Sequence, residues 1–575
     1  MSINKQHQNT SNNPIPKIWG AGQIFAFSAL DGKASNIDDF AGMLSGDRLG
    51  IRFYSKVIRE LAIVGIQSDS LYFNAVTGDY INAVTTENEE NIIIYYDTHT
   101  IIGQFSTGAC PGVHIDGKAT ITCENEIEYH DTSDNELSAL MIRGNKFAFA
   151  FGHSKDEVKS RILKGIDADI NADIDKKLQY FKDFGRPDIT KYNELFTKCI
   201  SVMKTQLYSP EGHFKTIWST PDRLPHKDLW LWDSVFHAIG FRHLDAELAQ
   251  QLILDIFTMQ HENGMISHQA RPGWVSSISQ PPVIAWGSWK VFELTGNIDF
   301  IKTVFEHNKR FLNWVYENRK SKNEELFIWD TNDVSYNRCD ESGIDNSPRF
   351  DAYVCLEAID FACYMANEMR YMKKIADVLG EDSSIFTQRF ESIREAVNRK
   401  LWDEEDGFYY DYDLTNNKLH KVECFTSFLP LFAGLCDKTQ AQSLISWLKN
   451  PNTFNTYLPI PTISKREKSF RKDMWCSPVW VNCNYLIYDG LKNYGYNYLA
   501  DELSEKLLSV IDEWYHKTGC IFEFFDCDNE VPPYKLGRKG PVVEPYNIRI
   551  KYQAIRDFGW SSTLTCDMIS SKYGK

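Results

Sequence analysis

The chain has 575 residues, more than one compact core usually holds, so two or more domains are expected. A formal net charge of -16 repels phosphate backbones and argues against a nucleic-acid partner. The 13 cysteines show no paired spacing, which indicates a reducing compartment. Since the first residues lack an apolar signal segment and no apolar run reaches membrane-spanning length, we expect a cytoplasmic protein without a membrane partner.

The N-terminal region carries short β-rich runs separated by Gly, Asn and Asp clusters. Examples are IRFYSKV at 51–57, NIIIYY at 91–96 and KFAFAF at 146–151. The last alternates with a period of two, as in a strand with one buried face. We predict an N-terminal β-sandwich over residues 1–154 and a helical linker over 155–189.

From residue 190 to residue 575 the pattern is helical and forms one further domain. Apolar residues recur on one helix face, as in the stripe of Phe386, Phe390, Ile393 and Val397. Helices are predicted near residues 190–207, 233–243, 245–259, 282–295, 298–318, 352–379, 384–401, 423–433, 438–449, 478–494, 498–517 and 559–573.

The lengths of the connections predict how these helices are arranged. Connections after the even-numbered helices are short, whereas those after the odd-numbered helices are mostly long: 208–232, 260–281, 319–351, 402–422, 450–477 and 518–558. In an up-down ring of helices, alternate connections lie at the same end, so the long loops would gather at one mouth. We therefore predict an (α/α)6 toroid with its site at that mouth. The alternative is a helical solenoid with irregular loops.

The first two long loops hold candidate sugar contacts. Trp230, Trp232 and Asp233 stand at the start of a helix, where a carboxylate can accept from sugar hydroxyls and an indole can stack on a ring. Asp233 could instead cap the helix. Gln280 precedes two prolines, a stiff mount for a polar contact. His268 belongs to no standard zinc pattern, so no metal site is predicted here.

The third and sixth long loops hold candidate acids. Six acidic residues lie between positions 330 and 351, and crowding of carboxylates can keep one of them protonated. A calcium loop is the alternative, although the spacing departs from the EF-hand pattern. Glu523 lies among Phe522, Phe524 and Phe525. It could be a buried Glu paired with an Arg such as Arg549, but opposite an acidic loop a catalytic pair explains it better.

The same segments carry a family resemblance. WLWDSVFHAIG at 230–240, DESGIDNSPRFD at 340–351, and FEFFD at 522–526 followed by FGWSS resemble glycoside hydrolase family 63 and its mannosylglycerate-hydrolase-like relatives. The resemblance covers about residues 192–569, and trehalases carry a similar ESGxD segment. It implies an (α/α)6 barrel and an inverting mechanism with Asp345 as general acid and Glu523 as general base.

The resemblance also implies that Trp232, Asp233 and Gln280 hold the sugar. Further candidate substrate contacts are Trp230, Trp286, Glu341, Arg349, Trp475, Trp480 and Trp560. One departure matters: Cys476 and Ser477 stand where relatives often have Arg-Gly, which removes a fixed cation. That puts a charged aglycone in doubt and favours a neutral α-glucoside.

We therefore expect an exo-acting, inverting α-glycosidase that needs neither metal nor cofactor and hydrolyses a small α-glucoside or a glucose-containing oligosaccharide. The alternatives are an α-mannosidase, a mannosylglycerate or glucosylglycerate hydrolase, and a trehalase-like enzyme. A glycoside phosphorylase would need no protein base, and a polysaccharide lyase would meet acidic repulsion from its uronates. A catalytically dead carbohydrate-binding protein would not need both carboxylates. The oligomeric state is left open.

Overall fold

The computed structural model describes residues 48–52, 60–64, 68–71, 80–86, 91–96, 100–105, 113–115, 118–119, 125–131, 137–152, 154–169, 191–208, 213–222, 226, 228–271, 273–331, 338–351, 355–518, 520–540 and 552–574. None of the helices in these ranges is both long enough and apolar enough to cross a membrane.

The N-terminal region forms two antiparallel sheets. Their strands are β1 (Arg48–Arg52), β2 (Glu60–Val64), β3 (Ser68–Leu71), β4 (Tyr80–Thr86), β5 (Asn91–Tyr96), β6 (Thr100–Phe105), β7 (Val113–Ile115), β8 (Lys118–Ala119), β9 (Glu128–Asp131), β10 (Leu137–Arg143) and β11 (Lys146–Gly152). One sheet has the order β1-β2-β7-β8 and the other β3-β4-β5-β6-β11-β10-β9. The predicted strand content is confirmed, while the sandwich packing and the domain boundaries stay predictions.

Strand β11 is covered on both faces, so the prediction of a single buried face is wrong. Ala148 and Ala150 are buried in one cluster with Val158 and Ile162 of helix α1 (Lys155–Ile166), which packs on β10 and β11. The small alanines let the helix approach closely, and Phe147 and Phe149 are buried on the opposite face. The rest of the predicted linker, 170–189, lies outside the described residues.

Twelve helices follow in the C-terminal part that the structure describes. They are α2 (Asn193–Thr205), α3 (Leu231–Phe241), α4 (Ala246–Leu254), α5 (Ile284–Thr295), α6 (Ile298–Asn318), α7 (Ile359–Leu379), α8 (Ser384–Lys400), α9 (Leu429–Ala433), α10 (Lys438–Lys449), α11 (Val481–Asn493), α12 (Asn497–Thr518) and α13 (Gly559–Tyr573). Helices α3, α5, α7, α9, α11 and α13 contact one another in that order, and α13 returns to α3. This closed inner ring confirms the (α/α)6 barrel and excludes the solenoid.

The short connections of the barrel are built from paired caps. Helix α5 ends at Gly296, whose φ of 60° is left-handed, and the next residue, Asn297, caps α6 by accepting from the backbone N–H groups of Asp299 and Phe300. Helix α7 ends in the same way at Gly380, with a φ of 72°. Two residues separate α5 from α6 and four separate α7 from α8, so both turns are short.

The long connections lead to the N-termini of the inner helices, and short strands join neighbouring loops there. Strand β14 (Leu229–Trp230) pairs with β15 (Gln269–Arg271), which pairs with β16 (Trp274–Val275). Strand β22 (Val479–Trp480) pairs with β23 (Phe524–Phe525) across another pair of loops. The remaining short strands are β12 (Leu207–Tyr208), β13 (Trp218–Ser219), β17 (Leu356–Glu357), β18 (Trp402–Asp403), β19 (Phe408–Tyr409), β20 (Asp411–Asp413) and β21 (Lys418–His420). The long loops therefore form one mouth.

Candidate active site

Glu523 lies directly before β23 and is fully buried in an ion pair. Its carboxylate accepts from Arg538 at 2.8 Å (Nε) and 3.1 Å (Nη2), and from the backbone N–H of Ile555 at 3.3 Å. Burial raises the pKa of Glu523, while the Arg538 guanidinium acts in the opposite direction. The expected arginine partner exists, but it is Arg538; Arg549 lies outside the described residues.

Asp345 is held by a cation and not by the expected crowd of carboxylates. Its Oδ2 accepts from Lys539 Nζ at 2.6 Å. The other acids of the same loop have partners elsewhere: Asp330 and Glu341 pair with Arg319, and Asp351 pairs with Arg338. The calcium-loop alternative loses its basis, because at least these three carboxylates are neutralised by arginines.

Two consecutive residues hold the two candidate catalytic carboxylates. Arg538 binds Glu523 and Lys539 binds Asp345, and the charges of both carboxylates act on Arg538. This Arg538–Lys539 turn is anchored by Asp473, which accepts from the Lys539 backbone N–H at 2.9 Å and from the Asn346 side chain at 3.1 Å. Asp345 and Glu523, which are 178 positions apart, therefore reach the same turn at the mouth.

Behind the arginine stand two residues that sequence reasoning missed. Arg538 Nη2 lies 3.2 Å from His226 Nε2, and His226 Nδ1 lies 2.6 Å from Asp222 Oδ2. The arginine thus donates from Nε and Nη2 to Glu523 and from Nη2 also to His226, while the imidazole donates to Asp222. Asp222 and His226 both belong to the first long loop, and their i,i+4 spacing was the available signal.

Four tryptophans form one continuous wall at the mouth. Trp475 and Trp480 stack with their ring centres 3.7 Å apart, Trp480 meets Trp560 at 5.6 Å, and Trp560 meets Trp232 edge-on at 5.5 Å. Gly343 lies against this tryptophan wall, because a Cβ atom there would come within 2.5 Å of the Trp232 ring. The Ser-Gly-x-Asp segment needs its glycine for this close approach.

Several buried polar atoms beside the wall have no partner among the described residues. They are the indole nitrogens of Trp230, Trp475 and Trp560 and the Oδ1 atom of Asp233. Asp233 does not cap α3, whose N-cap carries no side-chain hydrogen bond, and burial raises the pKa of Asp233 well above its usual range. Buried donors and acceptors without a protein partner can pair with water, an ion or a ligand.

Gln280 binds the backbone of the tryptophan wall, and His268 lies near Asp345. Gln280 accepts from the backbone N–H of Trp232 at 3.3 Å. His268 Nδ1 lies 2.5 Å from the Ser276 hydroxyl, and burial lowers the pKa of this imidazole to about 4 although Asp345 opposes that shift. His268 is therefore neutral near pH 7 and adds no positive charge beside Asp345.

Comparison with known proteins decides the family. A model described as the mannosylglycerate hydrolase MGH1-like glycoside hydrolase domain matches residues 225–561, more than half of the chain. The chain belongs to this family of glycoside hydrolases. The match runs from the first long loop into α13, so it includes Asp233, Asp345 and Glu523.

Relatives within the glycoside hydrolase family are distant in sequence. A mannosylglycerate hydrolase from Rubrobacter radiotolerans is 23% identical over 53% of this chain and 86% of its own length. An uncharacterized protein from Borreliella burgdorferi is 28% identical over 46% of this chain, and the chain spans only 54% of that relative. The crystal structure of a GH63 mannosylglycerate hydrolase from Thermus thermophilus covers 65% of this chain and 99% of its own, with a TM-score of 0.53 at 21% identity. At this identity the likeness shows the fold alone.

Three predicted substrate contacts of this glycoside hydrolase have their polar groups bound by other residues of the chain. Arg349 is fully buried and donates to Asp360 and Asp411 at 2.6–3.0 Å. Glu341 is bound by Arg319 and by the backbone N–H of Asp330 at 2.7 Å. Trp286 is buried in the barrel core, where its indole donates to Asp489 at 2.9 Å. These bonds link the loops and helices around the site, and a role of the three residues in substrate contact stays a prediction.

One group at the mouth has metal-ligand chemistry. Asp526, Cys527 and Asp528 offer ligand atoms within 4.8 Å of one another. Lys472 donates to Asp526 at 2.7 Å and Lys465 to Asp528 at 3.0 Å. Because lysines already neutralise both carboxylates, the group is explained without an ion. Independence of metals and cofactors stays a prediction.

Proposed function

We propose that the chain hydrolyses a small α-glycoside with inversion at the anomeric carbon, using Asp345 as general acid and Glu523 as general base. The observation that carries the proposal is the Arg538–Lys539 turn, because it brings a partly exposed carboxylate and a deeply buried one to the same place. Two carboxylates in unlike environments are what acid and base roles require. An inverting reaction places them about 6.5–9.5 Å apart, with a water between the base and the sugar.

The two carboxylates have different tasks in this reaction. Glu523 accepts a proton from the water that attacks the anomeric carbon, and its bidentate contact with Arg538 fixes its orientation. Burial raises the pKa of Glu523, which makes its carboxylate a stronger base. Asp345, with a side chain 20% exposed, is accessible to a leaving group and donates the proton to the glycosidic oxygen.

The tryptophan wall and the polar atoms beside it support binding of one terminal sugar. The three indole N–H groups can donate to hydroxyls, and Asp233 Oδ1 can accept from one or, when protonated, donate. A site walled by buried tryptophans would suit an exo-acting enzyme, because it would hold the end of a chain and not its middle.

Two classes of aglycone, the group attached to the terminal sugar, are candidates. A neutral α-glucoside was favoured because Cys476 leaves the segment without its arginine, but Arg538 and Lys539 bring two cations back to the mouth. A glycerate-bearing substrate, as hydrolysed by the relative from Rubrobacter radiotolerans according to its name, is therefore the second candidate. Trehalose and short mannosides remain further alternatives.

The test begins with hydrolysis of nigerose, kojibiose, trehalose, glucosylglycerate, mannosylglycerate and short mannosides, with and without phosphate. On the substrate that is cleaved, Asp345→Asn and Glu523→Gln should each lower the rate by about 10²–10⁴-fold while binding survives. Proton NMR should show the β-anomer released first. Release of the α-anomer, a glycosyl adduct on Glu523, or strict dependence on phosphate would contradict the proposal, and inactivity on every glycoside would point to a binding protein.

A further inference from the structure

The Lys539 side chain is built into the site in a way that the acid and base roles do not require. Its ammonium group lies 2.6 Å from Asp345, and both side chains are only about one-fifth exposed, at 18% and 20%. An ion pair this sheltered is screened less than a surface pair. A general acid must carry a proton when it acts, so the contact has to open or change during turnover.

The backbone of Lys539 is held in an unusual conformation that aims this side chain. Its φ of 57° lies in the left-handed region, which costs a residue other than glycine about 1 kcal/mol or more. The Asp473 carboxylate holds the conformation by accepting from the Lys539 N–H. The same carboxylate accepts from Asn346, the residue after Asp345, so the ammonium and the acid share one anchor.

The neighbours of Asp345 determine which charged group can respond to the charge of its carboxylate. The charged or titratable side chains that face it in the described part of the chain include Lys539, Arg538 and His268. Arg538 is bound to Glu523, and His268 is neutral near pH 7. Lys539 is therefore the cation placed to respond to the charge of Asp345.

We propose that Lys539 is a positioning residue for the general acid: it holds the Asp345 carboxylate before substrate binds and receives it again once the proton has been donated. This inference rests on the proposed function. As the leaving group enters, the Asp345 carboxylate takes up a proton from solvent and turns from Lys539 toward the glycosidic oxygen. Its proton moves to that oxygen as the bond to the anomeric carbon breaks, water adds to that carbon, and the water's proton passes to Glu523. The new Asp345 carboxylate returns to Lys539, and Glu523 releases its proton to solvent.

The test compares Lys539→Met, Lys539→Arg and the matched control Lys465→Met, which removes another lysine–aspartate pair at the mouth. Rates are measured against pH for the methyl α-glycosides and the glycosyl fluorides of glucose and mannose. A methoxide leaving group needs the acid, whereas fluoride needs little help. Circular dichroism and thermal melting check that each variant is folded.

Loss of the ammonium in Lys539→Met should slow the methyl glycoside about tenfold while fluoride hydrolysis stays nearly unchanged, a part of the roughly 10²–10⁴-fold worth of a positioned acid. Lys539→Arg should restore the rate on the methyl glycoside. If Lys539→Met keeps the wild-type ratio of the two rates, as Lys465→Met is expected to, the inference is overturned. If Asp345→Asn also keeps the wild-type rate on the methyl glycoside, the proposed function itself fails.

Discussion

Removing the arginine that pairs with the proposed base gives the sharpest test of the site. Arg538→Met keeps much of the side-chain volume but takes the cation away from Glu523, whose side chain is only 2% exposed. Breaking a buried ion pair from one side costs about 3–5 kcal/mol, because the remaining charge is left without a partner. We expect the free energy of unfolding at pH 7 to fall by about that amount, measured by urea denaturation.

The same substitution should move the acid limb of the pH profile. Arg538 lowers the pKa of Glu523 against the effect of burial, so without Arg538 the base takes up its proton at a higher pH. An opposite charge in contact changes a pKa by about 1–3, which predicts that the acid limb of kcat/KM rises by at least about one pH unit. At a pH below the acid limbs of both proteins, kcat/KM of Arg538→Met should be lower than that of the wild type by about tenfold for each pH unit that separates the two limbs. This difference should shrink as the pH rises.

Two variants separate this effect from general damage. Arg538→Lys keeps a positive charge and should hold the limb near its wild-type position. Arg319→Met breaks a bidentate contact to the buried Glu341, at 2.9 and 3.1 Å, so it should destabilise the chain without moving the limb. A folded Arg538→Met enzyme whose acid limb coincides with that of the wild type would refute Glu523 as the base.

Two further predictions follow from the barrel. Gly343→Ala should lower the activity strongly and destabilise the fold by about 2 kcal/mol or more, because the new Cβ would clash with Trp232 and because the backbone φ is 73°. Gly380 has a similar φ but open space around it, so Gly380→Ala is the control. An equal loss of activity in both variants would contradict this account. Burial raises the pKa of Glu368 from 4.5 to about 7, so the folded chain keeps a proton that the unfolded chain releases, and this contribution to stability is complete below pH 4.5 and lost as the pH rises through 7. Glu368→Gln should remove up to about 3 kcal/mol of that pH dependence, and equal urea stability differences between pH 5 and pH 8 in both proteins would contradict it.

The arrangement of the barrel follows from local sequence signals. Helices α6, α10 and α13 begin and end at the predicted residues. For α6 and α10 the signals are local, because apolar periodicity and the capping residues Asn297 and Asp437 act within a few turns. The alternation of short and long connections predicted that the long loops form one mouth, because a short connection requires neighbouring helix ends. On strand β11 the same kind of reasoning failed, because the pattern of Phe and Ala does not tell which of two apolar faces is covered.

The partners of the charged side chains were decided by the tertiary structure. Nothing local distinguishes Arg538, which binds Glu523 at the mouth, from Arg349, which is locked between Asp360 and Asp411 in the core. The composition of the third loop predicted crowded carboxylates, yet Asp345 meets Lys539 from a segment 194 positions away. Local sequence specifies which residues can carry charge and where helices turn. Which charges meet depends on how the long loops pack over the ring, because an ion pair acts through space and is independent of separation along the chain.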